Sequence, residues 1–202
     1  MALRWVVGAR RGEWDLPKAM IRVTGGAYRG RRLVGASGAT RPATARMRAA
    51  IFNRPDVQAV VEGRVLDLYA GAGLLGVEAL SRGATVVDFV ERERRVCAVI
   101  AQNLAALGVA DQGRVHCVPV ERCGGRIEPP YDLCFADPPY PLDATAALER
   151  LLERGLLRVG GLLLWRHPAA RAAEMSLGPL VRSDRRRYGD GVLETYMAGA
   201  SI

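Results

Sequence analysis

Val65-Leu66-Asp67-Leu68-Tyr69-Ala70-Gly71-Ala72-Gly73-Leu74-Leu75-Gly76 is the stretch that decides the fold of this chain. Its first five residues are an apolar run broken only by Asp67, the pattern of a strand covered on both faces. Three glycines follow at the spacing of a sharp strand-to-helix turn, where the backbone must bend tightly and can approach a ligand. The same alternation continues downstream. Thr85 to Val90 reads as a strand, and a helix over about 93–107 buries Val96, Val99, Ile100, Leu104 and Leu107. Val115 to Val118, Tyr131 to Ala136 and Gly161 to Trp165 give three more strands, with a helix at about 143–154 carrying Leu148, Leu151 and Leu152 on one face. Gly83 and Gly108 stand where helix C-terminal glycines belong. Two β-like runs, near 179–188 and 191–198, are joined by Tyr188-Gly189-Asp190-Gly191 and should close the sheet as an antiparallel hairpin. The expected fold is therefore Rossmann-like α/β: a mostly parallel, seven-stranded sheet between helices.

Upstream the pattern differs. Ile21 and Val23, then Tyr28 to Leu33, split by Gly25-Gly26, read as a short β-hairpin. Thr44 can cap a helix over roughly 45–53 with an apolar stripe of Met47, Ile51 and Phe52. Residues 1–19 lack a period and are expected to be a loose extension. We thus divide the chain into that extension, a basic hairpin and helix over 20–54, and the α/β domain over 55–202.

Charge follows the same division. Twelve basic residues against Glu13 and Asp15 give residues 1–54 a net +10, leaving −2 for the rest of a chain of net charge +8. No acidic residue lies between Met20 and Arg54. An Arg-rich codon bias accounts for arginine over lysine but not for missing carboxylates, so a phosphate-backbone partner is the better reading. Arg22, Arg29, Arg31, Arg32, Arg41, Arg46 and Arg48 are the candidate contacts, with Arg41, Arg46 and Arg48 projecting into solvent or onto a ligand. Arg185-Arg186-Arg187 could extend that face, although charge runs are usually only solvated. No uncharged apolar run approaches the ~20 residues of a membrane helix, and residues 1–14 do not form a signal peptide. A cytoplasmic, monomeric protein is expected. Cys97, Cys117, Cys123 and Cys134 show no Cys-x-x-Cys spacing and read as reduced thiols rather than a zinc site or disulfide frame.

The chemistry concentrates at strand ends. Glu91 lies 20 residues after Gly71, where a carboxylate accepts from ribose hydroxyls. A glycine loop alone is as readily a tight turn with no ligand as a dinucleotide site. Asp67 separates the possibilities: an acid there attracts a cationic cofactor such as S-adenosylmethionine and repels a pyrophosphate. Asp137-Pro138-Pro139-Tyr140 then ends another strand. Two prolines and a tyrosine could simply terminate it, but acid–Pro–Pro–aromatic also fits a flat base bearing an exocyclic amine. The amine's lone pair is delocalised, so two acceptors on its hydrogens help localise it. Asp137 supplies one, the Pro138 carbonyl the other, and Tyr140 can stack on the base. His116, in an apolar strand, reads as a structural histidine; His167 reads as surface packing.

Asp-Pro-Pro-Tyr is shared by methyltransferases acting on base amines. Further stretches narrow the resemblance: Arg22-Val23-Thr24-Gly25-Gly26, Gly30-Arg31-Arg32-Leu33, Thr40-Arg41-Pro42, Ile51-Phe52-Asn53, Glu78-Ala79-Leu80-Ser81-Arg82-Gly83-Ala84, Phe89-Val90-Glu91 and Tyr188-Gly189-Asp190. From about residue 20 to its end the chain resembles the bacterial 16S ribosomal RNA guanine-N2 methyltransferase family. The resemblance implies a class I methyltransferase fold, S-adenosylmethionine as cofactor, and one guanine of 16S rRNA, within the small subunit or an assembly intermediate, as substrate. It places Asp67, Ala70, Gly71, Gly73 and Glu91, flanked by Arg92 and Pro119, on the cofactor. Asp137, Pro138 and Tyr140 fall on the base, and the amino-terminal arginines on RNA. The sequence departs from the family at Ala45 and Ala49, where polar or acidic residues are common, and at Arg166, where a glutamate is frequent. Val118-Pro119 also supplies no acid for the adenine amine.

Three rivals remain. A DNA amino-methyltransferase would need a target-recognition domain, yet 66 positions separate Gly71 from Asp137 and 62 follow Tyr140. A nucleotide-dependent oxidoreductase is opposed by Asp67, and a non-catalytic RNA-binding assembly factor by the retention of Asp137 and Glu91.

Overall fold

A computed structural model describes residues 20–35, 44–171 and 175–199. Strand β1 (Met20–Arg22) pairs antiparallel with β2 (Arg32–Val34), so the hairpin forms with shorter strands and a longer turn than its sequence suggests. Helix α1 (Ala45–Phe52) begins where Thr44 accepts a hydrogen bond from the Met47 N–H at 3.2 Å, satisfying one of the donors a helix start leaves open. Its Met47, Ile51 and Phe52 stripe is buried as expected. Pro55 opens a short helix not evident in the sequence, α2 (Pro55–Gln58). The α/β repeat follows: β3 (Arg64–Leu68), α3 (Leu74–Ser81), β4 (Val86–Glu91), α4 (Arg94–Leu107) and β5 (Gly113–Cys117). After a 3-10 turn over Val120–Gly125 come β6 (Tyr131–Ala136), α5 (Thr145–Leu152) and β7 (Leu157–Pro168), then β8 (Ser176–Leu177), β9 (Leu180–Tyr188) and β10 (Gly191–Ala198).

The main sheet has eight strands in the order β5-β4-β3-β6-β7-β10-β9-β8, one more than the sequence suggested. The addition is β8, two residues against β9, too short to carry a period. From β5 to β7 every pairing is parallel; from β7 to β8 every pairing is antiparallel. Strand β5 starts two residues early because Gly113 pairs with Val87, where a Cβ would strike Leu104 at 2.5 Å. Strand β7 runs past its expected end because β10 pairs with it as far as Pro168, and it begins early because Leu157 pairs with Tyr131 of β6.

Alternation along the central strands fills two cores. Val65, Val87, Phe89, Leu133, Phe135, Leu162 and Leu164 face α1, α3 and α4. Leu66, Leu68, Val90, Cys134, Leu163 and Trp165 face α5 and the 3-10 turn. On α4 the buried stripe is Cys97, Ile100, Asn103, Leu104 and Leu107, with Val96 and Val99 only half-buried. All four cysteines are free. Among the described residues no helix is long and apolar enough to cross a membrane.

The basic segment is stitched to this frame by polar groups. Glu78, 1% exposed, accepts from the Thr24 N–H at 2.8 Å and the Thr24 hydroxyl at 2.9 Å, and pairs with both Arg48 and Arg82. Asn103 accepts from the Val34 N–H at 2.8 Å and donates to the carbonyls of Val34 and Ala72. Gly26, at φ +75°, lies so close to the Ser81 carbonyl that any Cβ would collide with it. Arg48 therefore does not project outward as expected. It is buried at 2% exposure with Glu78 at 3.2 Å, because α1 packs on α3 and turns that side of the helix inward. Residues 1–19 and Arg41 lie outside the described residues.

Candidate active site

Three strand ends converge on one edge of the sheet. At the end of β3 the chain leaves the strand through Tyr69 at φ +57°, Gly71 at +53° and Gly73 at +75°, which caps α3. Gly73 and Gly76 also permit close packing: a Cβ on Gly73 would lie 3.2 Å from Phe89 and Ile100, and one on Gly76 only 2.2 Å from Phe89. Around Gly71 a Cβ would meet nothing, so the loop faces open space there. Asp67 sits beneath the loop and accepts from the Gly76 N–H at 2.8 Å. Glu91, ending β4, accepts from the Gly71 N–H at 3.0 Å and the Glu93 N–H at 2.9 Å. Ala70 is held by its N–H on the Val90 carbonyl at 3.0 Å. Arg92 is exposed beside Glu91, and Pro119 is half-buried at the start of the 3-10 turn.

Asp137 follows β6 directly. Its carboxyl is pushed above the ordinary range by burial, against the opposing charge and hydrogen bonds of Arg166. Asp67 is 1% exposed; burial pushes its carboxyl up to about 8, the Gly76 N–H opposing and the charges of Asp137 and Glu91 adding. The three acids thus share one electrostatic environment in which burial and mutual repulsion resist ionisation until a cation relieves them, so a cation is favoured and a phosphate disfavoured. Each Glu91 oxygen keeps a lone pair free for a hydroxyl. This donor set suits S-adenosylmethionine, with Asp67 and the glycine loop toward its charged end and Glu91 toward its ribose.

The base side of the site contains two residues that the sequence reading did not select. Arg166, near the end of β7, donates from Nη1 to both Asp137 oxygens at 3.2 Å and from Nη2 to the Tyr140 hydroxyl at 2.8 Å. That hydroxyl in turn donates to Asp190 Oδ1 at 3.1 Å. The pairing of β6 with β7 brings them together: Ala136 pairs with Trp165 in parallel strands, so Asp137 and Arg166 stand abreast. Asp190 belongs to the Tyr188-Gly189-Asp190 stretch, whose partner the sequence could not name.

Of the candidate RNA residues, Arg29 lies away from this edge. Arg22, Arg29, Arg31, Arg32 and Arg46 are exposed. The hairpin turn bearing Arg29 is fixed by the Tyr28 N–H on the Ser81 hydroxyl at 2.9 Å, at the end of α3 remote from Gly73. There an open cleft of about 540 Å³ is lined by Thr24, Arg29, Phe52, Asn53, Gln58 and Arg82 among others. His116 is the structural histidine expected, 2.6 Å from buried Asp88. His167 is not surface packing: it is 2% exposed and 3.2 Å from Glu194, because β10 covers that part of β7. Arg185, Arg186 and Arg187 are exposed but engage Glu194, Asp184 and the Gly189 carbonyl.

The sequence model of the family described as Conserved hypothetical protein 95 matches residues 21–197. YlbH of Bacillus subtilis is 33% identical over 176 residues, covering 84% of this chain and 94% of the relative. The ribosomal RNA small subunit methyltransferase D of Escherichia coli is 36% identical over 134 residues, covering 66% and 67%. The solved structure of yhhF from Escherichia coli superposes with a TM-score of 0.80 at 29% identity, covering 91% of this chain and all of that one. The fold is the class I methyltransferase fold, a mostly parallel sheet with an antiparallel carboxyl-terminal hairpin.

Proposed function

The chain belongs to the family described as Conserved hypothetical protein 95, and on that premise we propose that it methylates the exocyclic N2 of one guanine in 16S ribosomal RNA, with S-adenosylmethionine as donor. The observation that carries the reading is the convergence of Asp67, Glu91 and Asp137 at neighbouring strand ends around an open glycine turn. The cofactor would supply a methyl group made electrophilic by its sulfonium sulfur. Every other task falls to the chain.

Asp137, as a carboxylate, accepts one hydrogen of the amine, and the Pro138 carbonyl accepts the other. Together they draw electron density back onto the nitrogen and aim its lone pair. Tyr140 holds the base by stacking, its ring fixed by hydrogen bonds to Arg166 and Asp190. Methyl transfer leaves the nitrogen cationic, and in that form it is acidic enough to pass its extra proton to water or to the Asp137 carboxylate without a strong base. The exposed arginines at 22, 29, 31, 32 and 46 supply phosphate contacts that add affinity without sequence information. A large, structured RNA can engage these arginines and Asp137 together, and the name of the Escherichia coli relative favours the small ribosomal subunit.

The test is incubation with methyl-labelled S-adenosylmethionine and, separately, small subunits, free 16S rRNA and duplex DNA, followed by nucleoside analysis. N2-methylguanosine from the ribosomal substrates is expected; methylated adenine or cytosine from DNA would overturn the reading.

A further inference from the structure

Among the described residues the Asp137 carboxylate has one cationic neighbour, and it comes from another strand. Arg166 places Nη1 at the same 3.2 Å from both carboxylate oxygens while Nη2 reaches the Tyr140 hydroxyl at 2.8 Å. Its guanidinium carbon lies 5.2 Å from the Tyr140 ring centroid. The Arg166 side chain is 11% exposed and that of Asp137 20%, so these contacts are partly shielded from water, which strengthens them. Backbone space completes the arrangement: a Cβ on Gly191 would lie 2.3 Å from the Tyr140 hydroxyl and 3.3 Å from Arg166 Nε. The glycine lets β10 approach closely enough for Asp190 to accept from Tyr140.

We infer that Arg166 is a positioning residue for amine methylation: one planar guanidinium fixes both the acceptor carboxylate and the stacking ring. The inference rests on the proposed methyl transfer to a base amine and adds a residue to it. An arginine suits the role because its donors lie in one rigid plane and its charge does not titrate, whereas a lysine offers a single point charge. It also supplies an electrostatic service. Around Asp137 stand Asp67 from β3, Tyr140 and Asp190 from the loops, and Arg166 from β7. Burial drives the Asp137 carboxyl upward, and Arg166 alone opposes it. A protonated Asp137 would turn a hydroxyl toward the amine and lose part of its acceptor capacity. Without Arg166, therefore, the competent ionised form is reached only at higher pH.

The test compares wild type, Arg166→Gln and Arg166→Lys as full chains, with folding of each checked by thermal unfolding. Methyl transfer to small subunits is followed from about pH 6 to about pH 9 at saturating cofactor. In parallel, the Asp137 carboxyl is titrated by carbon-13 NMR, assigned with Asp137→Asn. For Arg166→Gln the expected result is a kcat lower by about 100-fold, the loss typical of a misplaced reacting group. KM for the subunits should be unchanged, with the acidic limb of the rate profile and the Asp137 titration both moved to higher pH. Arg166→Lys should restore the titration but only part of kcat. Turnover within twofold of wild type, or an Asp137 titration unmoved by the glutamine, would overturn the inference, as would faster turnover, which would make the contact a plug. The NMR titration needs no turnover. A wild type that transfers no methyl but shows the expected titration shift would fail the proposed function while leaving the Asp137–Arg166 contact upheld.

Discussion

Two arginines in one helix, two residues apart, show how the acidic and basic halves of this molecule differ. Arg46 is exposed in the first turn of α1, while Arg48 is 2% exposed against Glu78. From the sequence they looked equivalent, two members of one basic segment. Buried, an arginine acts through fixed partners and geometry; exposed, it acts through long-range charge that salt screens. The same contrast separates the strand-end site, where few buried charges are fixed against one another, from the hairpin, where Arg22, Arg29, Arg31 and Arg32 stand in solvent.

The largest effect should come from the buried side of this comparison. Asp137→Ala removes the acceptor for the amine, and kcat is expected to fall by about 1000-fold, the scale of losing a directed polar contact in a transition state. Cofactor affinity, read by calorimetry, should stay within about threefold, because the proposed cofactor contacts fall on Asp67 and Glu91 instead. Arg48→Ala leaves Glu78 buried with one cation fewer, a loss of about 3 kcal/mol in denaturant unfolding. Arg46→Ala should cost no more than about 0.5 kcal/mol by the same measurement. Equal costs would break the distinction between the two arginines.

Asp67 gives a prediction with a sign. Its folded carboxyl is raised to about 8 by burial, above its unfolded value, so the stability it contributes is full at acidic pH and is lost as pH rises through about 8. A bound cation favours the ionised form, so cofactor binding expels a proton over that range. The dissociation constant for S-adenosylmethionine should therefore fall between about pH 6 and about pH 8, and the trend should flatten in Asp67→Asn. An equally steep trend in the asparagine variant would assign the titration elsewhere.

The smallest effect should come from the exposed side. Replacing Arg29, Arg31 and Arg32 together should lower the slope of log K against log salt for RNA by about 2, with little change in kcat. An unchanged slope would move the RNA face away from the hairpin.

How much of this was legible depended on sequence distance. The glycine loop, Asp67 and Glu91 fall within 25 residues and obey local rules of strand, turn and helix, so their neighbourhood could be read directly. Asp137 and Tyr140 were legible because proline and tyrosine at a strand end leave few alternatives. Arg166 and Asp190 were not. Their contacts exist only once β7 lies beside β6 and β10 beside β7, and a period reports which face a residue occupies, not which strand is its neighbour. Arg48 was hidden for the same reason: its partner is on α3, thirty residues on, and charge composition counts a buried arginine like an exposed one. Strand β8 was lost to brevity alone.

The central claim is that the carboxylates at these strand ends serve transfer of a methyl group to a guanine amine in small-subunit RNA. It is tested most directly in cells that lack this protein, complemented with wild type or with Asp137→Ala, by digesting purified 16S rRNA and measuring modified nucleosides by mass spectrometry. N2-methylguanosine at a single position is expected to be absent without the protein, to return with wild type, and to stay absent with Asp137→Ala. Full restoration by the alanine variant, or an N2-methylguanosine pattern unaffected by loss of the protein, would contradict it.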